Sequence, residues 1–213
     1  MKPNIVIIDY GLGNLFSVKQ AFMHLGVIPK ITSDRSEISN ADAIVIPGVG
    51  AYKCAMDNMR EAGIIDIIKE KVEKGVPFLG VCLGLQLLFT ESEEFNSTQG
   101  LDLIKGKVVK FSSCSETRIP QIGWNSLEKK DTKSWKKSPL EGISSDNYFY
   151  FVHSYYVIPS NASVVLSNTT YGCNTYVSSI QYENIFACQF HPEKSGELGL
   201  KIYNNWLIQN NLK

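Results

Sequence analysis

The chain has 213 residues, 44% hydrophobic and 20% charged, with 21 basic residues balanced by 21 acidic ones. That length and balance suit one well-buried domain over residues 1–213 and argue against disorder. A formal net charge of zero removes any global electrostatic reason to expect a nucleic acid or an anionic membrane as partner.

Five cysteines (Cys54, Cys82, Cys114, Cys173, Cys188) lack CxxC spacing, so neither a disulfide framework nor a zinc ribbon is expected. The N-terminal apolar run meets Asp9 too early for a signal peptide. No segment nears the roughly 20 apolar residues of a membrane span. The expected setting is therefore cytoplasmic and reducing. The basic run Lys129, Lys130, Lys133, Lys136 and Lys137 reads as a solvated loop.

In chain order, NIVIID (4–9) predicts a first strand. NLFSVKQAFMHLG (14–26) predicts a helix, with Leu15, Val18, Phe22 and Leu25 on one face and Gly26 as its stop. Between them GLG (11–13) hints at a dinucleotide fingerprint, but the third glycine would fall on Phe16, where the helix must pack closely; that reading is set aside. Residues 27–32 and AIVIPG (43–48) follow as second and third strands, and a loop leads to a helix over 64–75. VPFLGV (76–81) is the next strand, and LGLQLLF begins another helix. This βαβα succession predicts a mostly parallel sheet with helices on both faces. From about residue 105 the runs KVVKF, NYFYFV, SVVLS, NTYVSSIQY and IFACQF predict an antiparallel section, closed by a helix over 195–210 with Leu198, Ile202 and Trp206 on one face.

Chemistry concentrates at Cys82. Taken alone, a cysteine among Val, Leu and Phe is a small buried hydrophobe. Gly80 and Gly84, however, complete a G-x-C-x-G turn between strand and helix, which is the pattern of a nucleophile elbow with sulfur in place of oxygen. A helix N-terminus there favours thiolate, and the N–H of Leu83 is ready to donate to an oxyanion. Both readings stand on this motif alone.

A cysteine nucleophile needs a base, and the chain has three histidines. His24 lies within the first helix and His153 in an aromatic strand, both suited to structural roles. His191, in QFHPEKS after the strand IFACQF, is the candidate base at a sheet edge. In extended chain Glu193 would follow His191 onto one side and orient the imidazole. PGVGAY (47–52) supplies a glycine-rich loop able to add oxyanion donors.

Together DYGLGNLFSV, PGVGAY, GVCLGLQLLF, PQIGWN, YFVHSYY and QFHPEKSGELG resemble the class I glutamine amidotransferases, and among them the glutaminase subunits of imidazole glycerol phosphate synthase. The match runs in family order from residue 9 to the last helix. It implies a flavodoxin-like α/β fold and a catalytic set of Cys82, His191 and Glu193. It also implies an oxyanion hole from Leu83 with Val49 and Gly50, and glutamine binding by Gln86, Glu94, Ser154 and Tyr155. No metal or other cofactor is implied. Asn14, Trp124, Tyr150 and Lys194 fall where the family meets a (β/α)8 cyclase subunit, the implied partner in a heterodimer. Once a glutaminase domain is assigned, 213 residues are expected to hold no synthase domain beside it. The acceptor of the ammonia stays open between the histidine-pathway nucleotide and a surface-polysaccharide sugar. Two departures stand out: Leu85 replaces the commoner Met, and Gln121 stands where many members have His, a change expected at the interface.

Overall fold

The computed structural model describes residues 2–114, 117–130 and 135–213. Its strands are β1 (Ile5–Ile8), β2 (Lys30–Thr32), β3 (Ala43–Gly48), β4 (Phe78–Cys82), β5 (Phe89–Ser92), β6 (Thr98–Gln99), β7 (Ile104–Lys110) and β8 (Gln121–Ser126). They continue as β9 (Glu128–Lys129), β10 (Tyr148–His153), β11 (Tyr155–Pro159), β12 (Val165–Tyr171), β13 (Asn174–Tyr182) and β14 (Ile185–Cys188). The helices are α1 (Leu15–His24), α2 (Arg35–Ser39), α3 (Tyr52–Glu61), α4 (Ile65–Glu73), α5 (Leu83–Gln86) and α6 (Gly196–Gln209).

Strands β2, β1, β3, β4 and β14 lie side by side and parallel, in the 2-1-3-4 order of flavodoxin-like sheets. Their apolar runs are continuous because both faces are covered. Val6, Ile8, Ile44 and Ile46 point into one core with Ile38 of α2, Met56 and Met59 of α3 and Ile68 of α4. Ile5, Ile7, Ala43, Val45 and Leu79 point into the other, with Val18 and Phe22 of α1 and Ile202 and Trp206 of α6. The sheet then continues through β13, β11 and β7 in antiparallel pairs. Strands β8 and β10 form a separate two-stranded ribbon. The α/β class, the parallel centre and the antiparallel section agree with the sequence reading.

Four expectations need correction. The segment after residues 47–50 reads as a loop in sequence, yet it holds α3, whose Tyr52, Ala55, Met56 and Met59 are buried at helical spacing. The helix after Cys82 stops at Gln86, because Leu87 and Leu88 give their carbonyls to Leu101 and Leu103, and Phe89 joins β7. Its four residues make a weak dipole, so charge near Cys82 must be managed by other groups. IFACQF is not at an edge: β14 sits between β4 and β13, joining the parallel and antiparallel parts. Finally, Cys114 and Cys173, separated by 59 residues, are paired in a disulfide. No spacing rule could announce that pair, because it forms where the segment after β7 is held against the β12–β13 turn by Ser112 and Asn174.

Of the basic run, Lys129, Lys136 and Lys137 are exposed, Lys129 over the ring of Trp135. Lys130 is half-buried and donates to the Ala162 carbonyl, and Lys133 lies outside the described residues. Among the described residues no helix is long and apolar enough to cross a membrane.

Candidate active site

Three adjacent parallel strands, β3, β4 and β14, each end on a sequence-predicted site segment. PGVG (47–50) begins on the last two residues of β3 and runs past its end, Cys82 ends β4, and His191 lies three residues beyond β14. Ligands of open parallel sheets gather at such carboxyl ends, where strand direction turns into loop.

Cys82 has φ 55° and ψ −106°, a strained conformation for an L-residue, so its side chain is held up by the turn. The flanking glycines are required by close approach. A Cβ on Gly84 would lie 1.8 Å from the Ile46 carbonyl oxygen, and one on Gly80 would lie 2.8 Å from that of Gly84. Cys82 is buried, with Sγ 3.5 Å from Nε2 of Gln189 and 3.9 Å from the Val152 carbonyl oxygen.

His191 and Glu193 are buried together, each side chain 2% exposed, with Nδ1 and Oε1 2.8 Å apart, and His191 is electrostatically coupled to Cys82. Their approach is not strand alternation, as expected, but a 3-10 turn over Pro192–Lys194 that curls Glu193 back beneath the imidazole. A carboxylate only accepts, so Nδ1 carries the proton in either charge state and Nε2 is the titrating nitrogen. Nε2 is buried and has no hydrogen-bond partner among the described residues. Burial alone would depress this histidine. The charge and close approach of Cys82, and after them the bond to Glu193 and its charge, outweigh it, and its pKa is raised to about 10. The other carboxylate oxygen of Glu193 accepts from the Tyr203 hydroxyl at 3.1 Å, and Tyr203 is stacked on Phe22 with centroids 5.0 Å apart.

Above Cys82 lies a cleft of about 420 Å³. Val49, Gly50, Leu83, Gln86, Glu94, Ser154, Tyr155 and Lys194 all line it, so the predicted oxyanion and substrate residues share one space with the nucleophile. Gln86 donates from Nε2 to the Tyr155 carbonyl at 2.9 Å. Glu94 accepts from the N–H of Tyr52 at 2.6 Å, which ties it to the end of the PGVGAY loop. His153 donates from Nδ1 to the Tyr155 carbonyl, and burial lowers its pKa to about 3, keeping it neutral.

Of the four predicted docking residues, three are grouped. Trp124 and Tyr150 face each other across the β8–β10 ribbon with ring centroids 6.0 Å apart, and Lys194 Nζ lies 5.5 Å over the Tyr150 ring. Trp124 is 56% exposed. Asn14 is the N-cap of α1, accepting from the Ser17 N–H. Gln121, expected at the interface, is instead buried and accepts from the Tyr176 hydroxyl. Its place in the PQIGWN motif carries no information on depth.

Sequence reasoning missed Tyr10, Gln189, Ser195 and Tyr203. Tyr10 donates to the Pro47 carbonyl at 2.7 Å, with its hydroxyl filling the place a Gly48 side chain would need. Ser195 donates to the His191 carbonyl and accepts from the Tyr150 N–H. Tyr10 lies in DYGLGN and Gln189 in QFHPEKS, so a signal is present there without a role attached. Ser195 closes the same QFHPEKS motif, and only Tyr203 lies outside every motif.

The sequence profile of the family "Glutamine amidotransferase class-I" matches residues 6–210. The imidazole glycerol phosphate synthase subunit HisH of Syntrophotalea carbinolica is 45% identical over 208 residues, spanning 95% of this chain and 98% of its own length. The HisH subunit of Caldanaerobacter subterraneus is 48% identical over 203 residues, spanning 95% and 96%. That of Aquifex aeolicus is 46% identical over 205 residues, with 94% of each chain covered. A crystal structure of a glutamine amidotransferase superposes with a TM-score of 0.74 at 21% identity, covering 97% of this chain and 98% of the other. A second glutamine amidotransferase, from Thermotoga maritima, superposes at 0.62 with 17% identity, covering 100% and 87%; at such identities the likeness is one of fold.

Proposed function

The chain belongs to the class-I glutamine amidotransferase family and, within it, to the HisH subunits of imidazole glycerol phosphate synthase; from that premise we propose that Cys82, His191 and Glu193 carry its glutaminase chemistry. The observation behind this reading is a cysteine that lines the cleft on a positive-φ elbow and is electrostatically coupled to a buried His–Glu pair.

In this mechanism the Cys82 thiolate attacks the side-chain carbonyl carbon of glutamine. The N–H of Leu83 and one from the peptide at Val49 and Gly50 receive the oxyanion. His191 protonates the amide nitrogen from Nε2, the carbon–nitrogen bond breaks, and ammonia leaves a thioester on Cys82. His191 then takes a proton from water, which attacks the thioester and releases glutamate. Glu193 holds the imidazole by Nδ1 throughout and stabilises its charged form. Gln86, Glu94, Ser154 and Tyr155 hold the glutamine in the cleft.

As a synthase subunit the chain works with a second subunit. Its (β/α)8 cyclase form and the docking of that barrel on Trp124, Tyr150, Lys194 and Asn14 are part of the proposal. Ammonia in water would be largely protonated and diluted, so a docked acceptor and a sheltered path are chemically sound. The HisH relatives favour the nucleotide of histidine biosynthesis over a polysaccharide sugar as acceptor, giving imidazole glycerol phosphate and an aminoimidazole carboxamide nucleotide. One test is glutamate release by the complex with Cys82→Ala. Loss of release with docking intact is expected, and undiminished release would refute the assignment.

A further inference from the structure

We propose that Gln189 is the hydrogen-bond donor that holds the sulfur of Cys82 for attack, and that a chain of amides links it to the substrate cleft. The inference rests on the glutaminase reading above and adds a group which that reading does not use.

Gln189 follows β14, is fully buried, and has its own N–H bonded to the Ser178 carbonyl. Its Nε2 lies 3.5 Å from Sγ of Cys82, and its Oε1 accepts from Nε2 of Gln86 at 3.0 Å. The same Gln86 Nε2 donates at 2.9 Å to the Tyr155 carbonyl oxygen. This network determines which end of each amide points where. The Tyr155 carbonyl can only accept, so Gln86 must turn its NH2 toward it. The second hydrogen of that NH2 then needs an acceptor, which is Oε1 of Gln189. The NH2 of Gln189 is left facing the sulfur. Reversing either amide would set donor against donor or acceptor against acceptor in a buried site.

The sulfur needs such a donor. The one-turn helix α5 offers little dipole, and Cys82 is 5% exposed, so solvent contributes little to a thiolate. The titratable groups coupled to it are His191, Tyr10, Tyr176 and Cys188. Burial holds the last three in their protonated, neutral forms, and His153 is neutral beside His191. Of these groups His191 alone is cationic, and Gln189 is a neutral donor on the sulfur. Gln189 therefore divides the work: His191 moves protons, and Gln189 keeps Sγ oriented without itself changing charge. Because Gln86 and Tyr155 line the cleft, the relay also couples glutamine binding to the geometry of the nucleophile.

The test is the pH dependence of Cys82 alkylation by iodoacetamide in the full chain. Peptide mapping by mass spectrometry separates Cys82 from Cys54 and Cys188, the other free thiols. Gln189→Met, close in volume and without a donor, is expected to move the alkylation midpoint up by about one pH unit or more. In the complex its kcat is expected to fall about tenfold or more, with a smaller change in KM. Gln189→Leu likewise has no donor at the sulfur, so the same upward shift is expected should the Met variant fail to fold. A midpoint within about 0.3 unit of wild type in either folded variant overturns the proposal, since packing alone would lower thermal stability without moving it. Alkylation does not require glutamine turnover, so failure of the glutaminase reading, seen with Cys82→Ala, is separately visible.

Discussion

Gly84→Ala tests whether close backbone packing holds the nucleophile. A Cβ on Gly84 would lie 1.8 Å from the Ile46 carbonyl oxygen and 2.9 Å from its carbon. An ordinary contact begins near 3.4 Å, so α5 and β3 must part by roughly 1.6 Å, the difference between 3.4 and 1.8 Å. Both partners are backbone atoms of buried elements and cannot swing aside. Overpacking of this kind costs about 1–3 kcal/mol of stability. Cys82 lies two residues away and Leu83 only one, so nucleophile and oxyanion donor are displaced together. A displacement near 1 Å at a reacting group costs on the order of 100-fold in rate. The assay is glutamate release by the assembled complex, with urea unfolding of the chain in parallel. Gly75→Ala is the control: it has positive φ and nothing within 4 Å, so about 1 kcal/mol of stability should go with kcat unchanged. A folded Gly84→Ala chain with kcat within about twofold of wild type would refute the reasoning, because the elbow would then be held by something other than this contact.

Glu193→Gln keeps the shape of the pair but removes the charge that helps to raise His191, so kcat is expected to fall about 10²–10⁴-fold with docking intact, measured by steady-state kinetics of the complex. The two buried histidines make stability depend on pH in opposite directions. His191, raised to about 10, contributes stability that is present below its ordinary pKa of 6.5 and is lost as pH rises toward 10. His153, lowered to about 3, makes the unfolded chain the better proton binder below 6.5, so stability falls as pH drops from there toward 3. Each limb has a slope of at most about 1.4 kcal/mol per pH unit, giving a maximum near pH 6.5 in denaturant midpoints. His153→Asn should flatten the acid limb and Cys82→Ala the alkaline one; limbs unchanged in these variants would contradict the assignments.

Much of this protein was legible in the chain because its signals are local. The apolar runs of β1, β3 and β4 and the helical spacing of α1, α4 and α6 follow from how side chains alternate along a backbone. Gly80, Cys82 and Gly84 declare a sharp turn because a turn is made by neighbours in sequence. His191 and Glu193 are two residues apart, so their pairing needed only the right turn, although the 3-10 geometry differs from the extended one expected. What the chain could not determine is which distant segments share an interior. β14 pairs with β4 across more than 100 residues, and that one pairing brings His191 and Gln189 to Cys82. The early end of α5, the burial of Gln121 and the Cys114–Cys173 bond have the same origin. Each depends on what another part of the chain packs against it. Local sequence sets the conformations a segment can adopt, and the shared core, which is non-directional and long-range in sequence, selects among them.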